Sequence, residues 1–341
     1  FLLRETVEGD HGFPASFPVG GFWFLVASGD FFGDGRDALA LVVPNGGVQV
    51  YRADADGAWE AAGTFLIGSS IHSIAAGDVD GDGVDELLIV RSAHQLVLTI
   101  LSPGRQAEVD VPIDLKFIPF FIGAGDLDGD GRTDIVFAMS EEIATLLAQP
   151  DGSFRPGPLS PYEGFVSSGV AVDFDGDGRM DLALSGSVTT ILLGDGAGGF
   201  TQGHQFPFWG QAVAAADLDL DGHSDVLLDN FVGLTVLWGG SGLDVSSFDV
   251  GMMGAVVGDF DGDLYPDIAS AGPGDTLSIV RGAGDRTFLP PIRYPGGMLP
   301  EALVFGNFTG GPLGDLVVFR FDRNIHLLPL ACSADIQKMD G

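Results

Sequence analysis

The nine residues Asp126-Leu127-Asp128-Gly129-Asp130-Gly131-Arg132-Thr133-Asp134 recur along this chain at a nearly fixed spacing. Copies begin at residues 30, 78, 126, 173, 217, 259 and 307, in steps of 48, 48, 47, 44, 42 and 48 residues. A period of this size marks a repeat architecture, in which each unit is one supersecondary element that cannot bury its own faces alone. The 341 residues therefore read as one closed array and not as two ordinary domains.

The unit is clearest in its fourth copy. A short apolar stretch, SSGVAVDF, leads into the acidic loop. DLALSG, SVTTILLG and GFTQGHQF follow as three further strand-like stretches, and the glycine-rich DGAGG turns the third stretch into the fourth. Helical periodicity is absent throughout. Four antiparallel strands in 40 to 50 residues make one propeller blade. The expected fold is all-β: a seven-bladed β-propeller of four-stranded antiparallel blades over residues 1–330, followed by a tail at 331–341. Small residues such as Ala75-Ala76-Gly77, Gly123-Ala124-Gly125 and Ala214-Ala215-Ala216 suit inner strands crowded round the axis. The last unit supplies only three strands. Residues 11–19, HGFPASFPV, resemble a fourth strand and are expected to complete it, closing the ring. The start, FLLRET, resembles a third strand and so duplicates 324–330; its pairing stays open.

The loops carry the chemistry. Carboxylates at positions one, three, five and nine, with the backbone carbonyl of position seven, form a hard oxygen cage for a hard cation of six to eight ligands. The full sets are Asp78, Asp80, Asp82 and Glu86; Asp126, Asp128, Asp130 and Asp134; Asp173, Asp175, Asp177 and Asp181; Asp217, Asp219, Asp221 and Asp225; and Asp259, Asp261, Asp263 and Asp267. Glycines at positions four and six permit the left-handed backbone that wraps such a loop. Leu220 and Leu264 each replace one of them. Calcium fits the cage better than magnesium, which demands stricter geometry and keeps more water. The bland alternative is a solvated turn. A catalytic role for these acids is disfavoured, because near-copies in five units point to structure. The copies at 30 and 307 are decayed: Phe32 and Ala38 stand at positions three and nine of one, and only Asn307, Thr309 and Asp315 remain in the other. Neither is expected to bind an ion.

Composition narrows the partners. The formal charge is −33, and twenty of the 48 acidic residues stand at the four ligand positions of the five full loops. Such a surface repels nucleic acid and anionic lipid. No apolar stretch is long enough to span a bilayer. FLLRETVEGD has no basic region followed by an apolar core, so it is not a signal peptide, and a mature or trimmed chain is expected. The expected location is secreted, extracellular or at the cell surface, or else the periplasm, and the expected state is a monomer. Cys332, the single cysteine, excludes an internal disulfide framework. Gly194 to Gly199 fits GxGxxG, but it turns a hairpin and opens no helix, so it offers no dipole to a phosphate.

These loops resemble the FG-GAP or VCBS repeats of the integrin α-subunit propeller and of many secreted bacterial proteins, and similar repeats occur in certain fungal lectins. The resemblance covers almost the whole chain. It implies about five calcium ions, in blades two to six, held by the five carboxylate sets on the bottom face. It also implies partner binding on the opposite, top face, and it leaves the partner open.

On that top face the loops entering the inner strands present Phe24, His72, Phe120, Ser167, Gln211, Met253 and Glu301, six residues before each motif, with Trp23, Phe165, Trp209 and Met252 beside them. Trp23, His72, Phe120, Trp209, Gln211, Met253 and Glu301 are the candidate ligand-binding residues, set against a role in packing between blades. The functional expectation is a secreted, calcium-binding module for adhesion or protein recognition, with a carbohydrate-binding lectin as the alternative. A polysaccharide lyase or hydrolase using the top-face channel is the competing class. It is disfavoured because His72 and Glu301, the only evident polar pair, come from blades that are not adjacent.

Overall fold

The computed structural model describes residues 16–18 and 25–329, apart from 44–45, 56, 93–94, 208–209, 231–232, 241–243, 251–253, 273–275, 296–299, 312 and 321–323. FLLRET and the tail at 331–341 lie outside the described residues. The protein is an all-β propeller of antiparallel blades. Its one helical element among the described residues is a 3-10 turn, Pro103–Arg105. No helix there is long and apolar enough to cross a membrane.

Taken from the inner strand outward, the first sheet is Val26–Gly29, Ala38–Val42, Val48–Ala53 and Trp59–Phe65. The second is Ser70–Gly77, Glu86–Ser92, Leu96–Ser102 and Ala107–Pro112. The third begins with Phe121–Gly125, Asp134–Ala138 and Glu142–Ala148. The fourth is Ser168–Val172, Asp181–Ser185, Thr189–Gly194 and Phe200–Phe206. The fifth is Gln211–Ala216, Asp225–Asp229, Leu234–Leu237 and Val245–Phe248. The sixth is Ala255–Gly258, Asp267–Gly272, Thr276–Val280 and Ile292–Pro295. The last is Pro300–Gly306, Asp315–Arg320 and Asn324–Pro329, with Ser16–Pro18 antiparallel to Asn324–Pro329 on its outer edge.

Among the described residues six sheets thus have four strands, and the expectation of seven four-stranded blades needs correction at the third sheet, which has five. Its outer edge is split in two. Phe154–Pro156 and Ser160–Pro161 both pair with Glu142–Ala148. Pro156, Pro158 and Pro161 offer no N–H to a ladder. Gly157 backs so closely on Thr145 that a Cβ there would lie 2.2 Å from its Oγ1, and its N–H donates to the Thr145 carbonyl at 2.9 Å. The strand breaks at that point and resumes at Ser160.

Inner strands of neighbouring sheets contact one another in sequence order, and Pro300–Gly306 returns to Val26–Gly29. The approach is close: a Cβ on Gly77 would come within 3.1 Å of the Ala124 Cβ, which accounts for the small residues there. Apolar clusters fill the spaces between adjacent sheets. Leu39 and Leu41 of the first sheet pack with Val317 and Phe319 of the last, and Val136 and Ala138 of the third pack with Leu182 and Leu184 of the fourth.

Every such cluster contains the second residue of one acidic motif: Phe31, Val79, Leu127, Phe174, Leu218, Phe260 or Phe308. All of these are buried. Burying a side chain of this size stabilises by about 1.5–3 kcal/mol. The motif is therefore a wedge between sheets as well as a row of acids. The decayed copies lost carboxylates but kept their wedges, Phe31 and Phe308.

Candidate metal centres

Each acidic loop joins the inner strand of a sheet to its second strand. In the third sheet Gly125 and Asp134 are partners at that end of the ladder, and Phe121 pairs with Ala138 at the other. The loop is organised by its first carboxylate. Asp126 Oδ1 accepts the N–H groups of Gly129 at 2.8 Å and Asp130 at 3.1 Å, and its Oδ2 accepts that of Gly131 at 2.9 Å. Asp78 and Asp173 repeat this pattern. Asp217 and Asp259 keep part of it.

The carboxylate at position nine is a latch. Asp134 is fully buried and accepts the N–H of Leu127 at 3.0 Å and of Ala148, at the end of the third strand, at 2.7 Å. Asp181 does the same with Phe174 and Gly194, Asp225 with Leu218 and Gly239, and Asp267 with Phe260 and Gly282. Glu86, longer by a methylene, takes Val79 N–H and the Ser102 hydroxyl instead. Burial pushes these acids up: Asp181 and Asp225 to about 6, and Asp267 and Glu86 to about 7. Neighbouring loop carboxylates add to the rise in each case.

The structure gathers three carboxylates in each full loop, with one oxygen from each inside a mutual spacing of 4.8 Å. They are Asp78, Asp80 and Glu86; Asp126, Asp128 and Asp134; Asp173, Asp175 and Asp181; Asp217, Asp219 and Asp225; and Asp259, Asp261 and Asp263. Position five of the first four loops is placed differently from the sequence expectation. Asp82 pairs with Arg105, Asp130 with Arg132, Asp177 with Arg179, and Asp221 with Arg286 at 3.3 Å. In the sixth sheet Asp263 joins the group, and Asp267 serves as the latch.

These groups can hold a metal ion, and two buried atoms fit that role. Oδ1 of Asp128 and Oδ1 of Asp261 are buried without a hydrogen-bond partner. A buried, unpaired carboxylate oxygen is costly, and burial pushes both of these acids up. A hard cation supplies the missing partner. Leu220 and Leu264 take the left-handed backbone of the glycines they replace, with φ of 61° and 73°.

The first loop keeps the same frame, with Asp30 accepting the N–H groups of Gly33 at 2.8 Å, Asp34 at 3.1 Å and Gly35 at 2.7 Å, but the remaining acids of the first and last loops have other partners. Asp34 pairs with Arg36 and Arg52, and the Arg52 guanidinium lies 4.2 Å from the centre of the Phe32 ring. Asp315 accepts the N–H of Thr309 at 2.7 Å and also its hydroxyl. Side chains already present satisfy these carboxylates. Sequence reasoning missed these pairings: Arg36, Arg132 and Arg179 stand at position seven of their own loops, whereas Arg286 comes from 67 residues away and has no counterpart in the motif.

At the opposite end of the strands, Phe120 and Phe165 are 52% and 54% exposed with ring centres 5.7 Å apart. Phe117 and Ile118 are exposed next to them. His72 Nε2 lies 2.7 Å from the Ser92 hydroxyl, and Gln211 is exposed. Glu301 sits at a register shift in Pro300–Gly306. Trp23, Trp209 and Met253 lie outside the described residues.

Blades in a ring, with acidic loops between first and second strands, define a β-propeller. The chain carries FG-GAP-like repeats: the model of that family matches residues 30–89, 126–184 and 173–228. No curated protein matches the chain. Among solved structures, a chain of the crystal structure of BBS1N in complex with ARL6DN is similar over 92% of this chain and 95% of that one, with 12% identity and a TM-score of 0.65. A lectin of Agrocybe aegerita, described as recognising non-reducing terminal N-acetylglucosamine, is similar over 80% of this chain and 79% of that one, with 17% identity and a TM-score of 0.53. At these identities the likeness shows the fold alone.

Proposed function

We propose that this protein is a calcium-stabilised, seven-bladed propeller that works outside the cytoplasm as a binding and adhesion module. In this reading the five-stranded sheet is a blade like the other six. Calcium is held by the three-carboxylate groups of blades two to six, and it supplies the positive charge that lets those acids stay ionised together. Asp82, Asp130, Asp177 and Asp221 are available to the same ions once their arginines turn away.

The observation that carries the binding role is the apolar patch of Phe117, Ile118, Phe120 and Phe165, exposed on the face opposite the loops. Large exposed aromatics, grouped and not scattered, mark contact surfaces. Asp114, Glu141 and Glu163 are exposed around them, and the nearby Lys116 is already paired with Glu142 at 3.0 Å. The patch therefore suits a protein segment with apolar anchors among basic residues. The two rings are tilted by 59°, which makes a cleft for a side chain and not the flat platform on which a sugar face stacks.

The test is a peptide display library and a glycan array, both probed in calcium buffer with the parent protein and with Phe120→Ala and Phe165→Ala. Both residues are half exposed, so both variants should melt close to the parent. Peptides with basic and apolar residues should be retained by the parent and lost by the variants. Glycan binding lost on the same substitutions would establish the lectin alternative. Binding that survives both substitutions would move the function off this patch.

A further inference from the structure

The five candidate loops share a sequence pattern but not a charge environment. In the second, third and sixth sheets the carboxylate at position three meets an arginine of its own sheet: Arg105, a half-exposed side chain that also pairs with Asp82, at 3.2 Å from Asp80, Arg155 at 3.3 Å from Asp128, and Arg281 at 3.6 Å from Asp261. In the fourth sheet the ion pair stays inside the loop, between Arg179 and Asp177. The fifth sheet differs. Its loop receives Arg286 from the hairpin of the sixth sheet, and this one guanidinium meets three carboxylates: Asp219 at 2.6 Å, Asp244 at 3.0 Å and Asp221 at 3.3 Å.

Arg286 is held there from both sides. Its backbone and that of Asp285 are left-handed, with φ of 61° and 51°, in a turn closed by Thr287 N–H to the Gly284 carbonyl at 2.9 Å. Two residues on, Phe288 packs edge-on against Phe248 at 4.9 Å and beside Trp238 at 6.3 Å, which fixes the hairpin on the fifth sheet. The guanidinium itself lies 5.2 Å from the Trp238 ring centre. Asp219 is only 5% exposed at its side chain and Arg286 34%, so water screens this pair less than it would two exposed side chains.

We propose that Arg286 makes the 217–225 loop the weak ion site of the ring. This rests on the calcium reading above. A fixed guanidinium on Asp219 and Asp221 already neutralises part of the charge a divalent ion would neutralise, and it repels that ion at short range. The 173–181 loop, with no such arginine from a neighbouring sheet among the described residues, has only its own Arg179, paired with Asp177, and its Asp173, Asp175 and Asp181 group is left to an ion. The loops therefore fill in order, and the 217–225 loop answers to a higher calcium concentration than its sequence implies. Arg286 is an affinity-setting residue and not a ligand.

The test uses terbium as the probe, since it takes hard oxygen sites and emits when an excited indole lies close by. Trp238 stands beside this loop. Indole-sensitised emission is titrated in the parent and in Arg286→Gln, and the component that disappears on adding Asp217→Asn is assigned to the loop. Its midpoint should fall at least fivefold in Arg286→Gln, while the remaining components stay in place. Arg286→Met, which keeps the stem over Trp238, serves if the Gln variant does not fold. An unchanged or raised midpoint overturns the proposal and leaves the ion reading intact. Emission with no component sensitive to Asp217→Asn in any of the proteins overturns both for this loop.

Discussion

The backbone N–H of Asp30 donates to Oδ2 of Asp85 at 2.9 Å, joining two neighbouring motifs through residues 55 apart. Asp85 is the eighth residue of the second loop, and Asp30 is the first residue of the loop before it. The same bond recurs at the ring closure, where Asn307 N–H donates to Asp37 Oδ2 at 2.7 Å. Both contacts depend on a bare backbone: a Cβ on Gly29 would lie 2.6 Å from Asp85 Oδ2, and one on Gly306 would lie 2.4 Å from Asp37 Oδ2. The first loop, which lacks an acid at its ninth position, is thus tied to its neighbours on both sides by carboxylates at the eighth.

Asp85→Ala removes a charge-assisted bond from a half-buried N–H and should cost about 2 kcal/mol. Gly29→Ala should cost a comparable amount by forcing Asp85 away. Together the two should cost little more than either alone, because they break one contact. Urea unfolding of the two single variants and the double variant measures this directly, and full additivity would show that the contact contributes nothing in solution.

Chelation should lower the melting temperature markedly, and magnesium should restore little of the loss. The reason is local: Oδ1 of Asp128 and of Asp261 have no partner without an ion, and three carboxylates crowd each loop. Differential scanning calorimetry in EDTA, with calcium and then magnesium added back, is the measurement. A melt indifferent to EDTA, with no metal found by mass spectrometry, would end the calcium reading.

The chelated protein should also become less stable as pH rises from about 4 to 7. Burial lifts Asp181 and Asp225 to about 6 and Glu86 and Asp267 to about 7, against ordinary unfolded values near 4. In that window the unfolded chain releases protons that the folded chain keeps, so deprotonation favours unfolding. The loss is complete once pH passes the folded values. Calcium should reverse the slope, because it binds the ionised acids. Urea midpoints from pH 4.5 to 7.5, with EDTA or with calcium, test the sign.

The period and the alternation of small, acidic and apolar stretches made the blades legible, since strand ends and loops recur in each unit. The fourth unit matches strand by strand: SSGVAVDF contains Ser168–Val172, and GFTQGHQF contains Phe200–Phe206. Less was legible at the site. Reading positions one, three, five and nine as equivalent ligands follows from side-chain type, but the partners of position nine, and of position five in the 78–86 and 217–225 loops, are set by the tertiary structure. Asp134 finds Ala148 because the third strand ends beside it, and Asp221 finds Arg286 because the neighbouring sheet delivers it. The wedge at position two was in plain view in the sequence, hidden only by the acids on either side. The split edge of the third sheet was written in Pro156, Pro158 and Pro161, which a search for repeats passes over.

Leu264 offers a test of the loop backbone itself. Its φ is 73°, its side chain is 81% exposed, and its N–H donates to Asp259 Oδ2 at 3.0 Å. The left-handed backbone costs a side-chain-bearing residue roughly 1–2 kcal/mol, and an exposed leucine gains little from packing in return. Leu264→Gly keeps the hydrogen bond and relieves that strain, against a loss of about 0.5–1 kcal/mol from the greater freedom of glycine in the unfolded chain. The variant should therefore be more stable by up to about 1 kcal/mol. The reverse exchange makes the comparison sharp. Gly131 in the third-sheet loop has φ of 81° with nothing within 4 Å of a Cβ, so Gly131→Leu adds strain without a clash and should destabilise by about the same amount. Chemical denaturation in saturating calcium reads both, and a Leu264→Gly protein less stable than its parent would show that the leucine earns its place through a contact that outweighs its backbone.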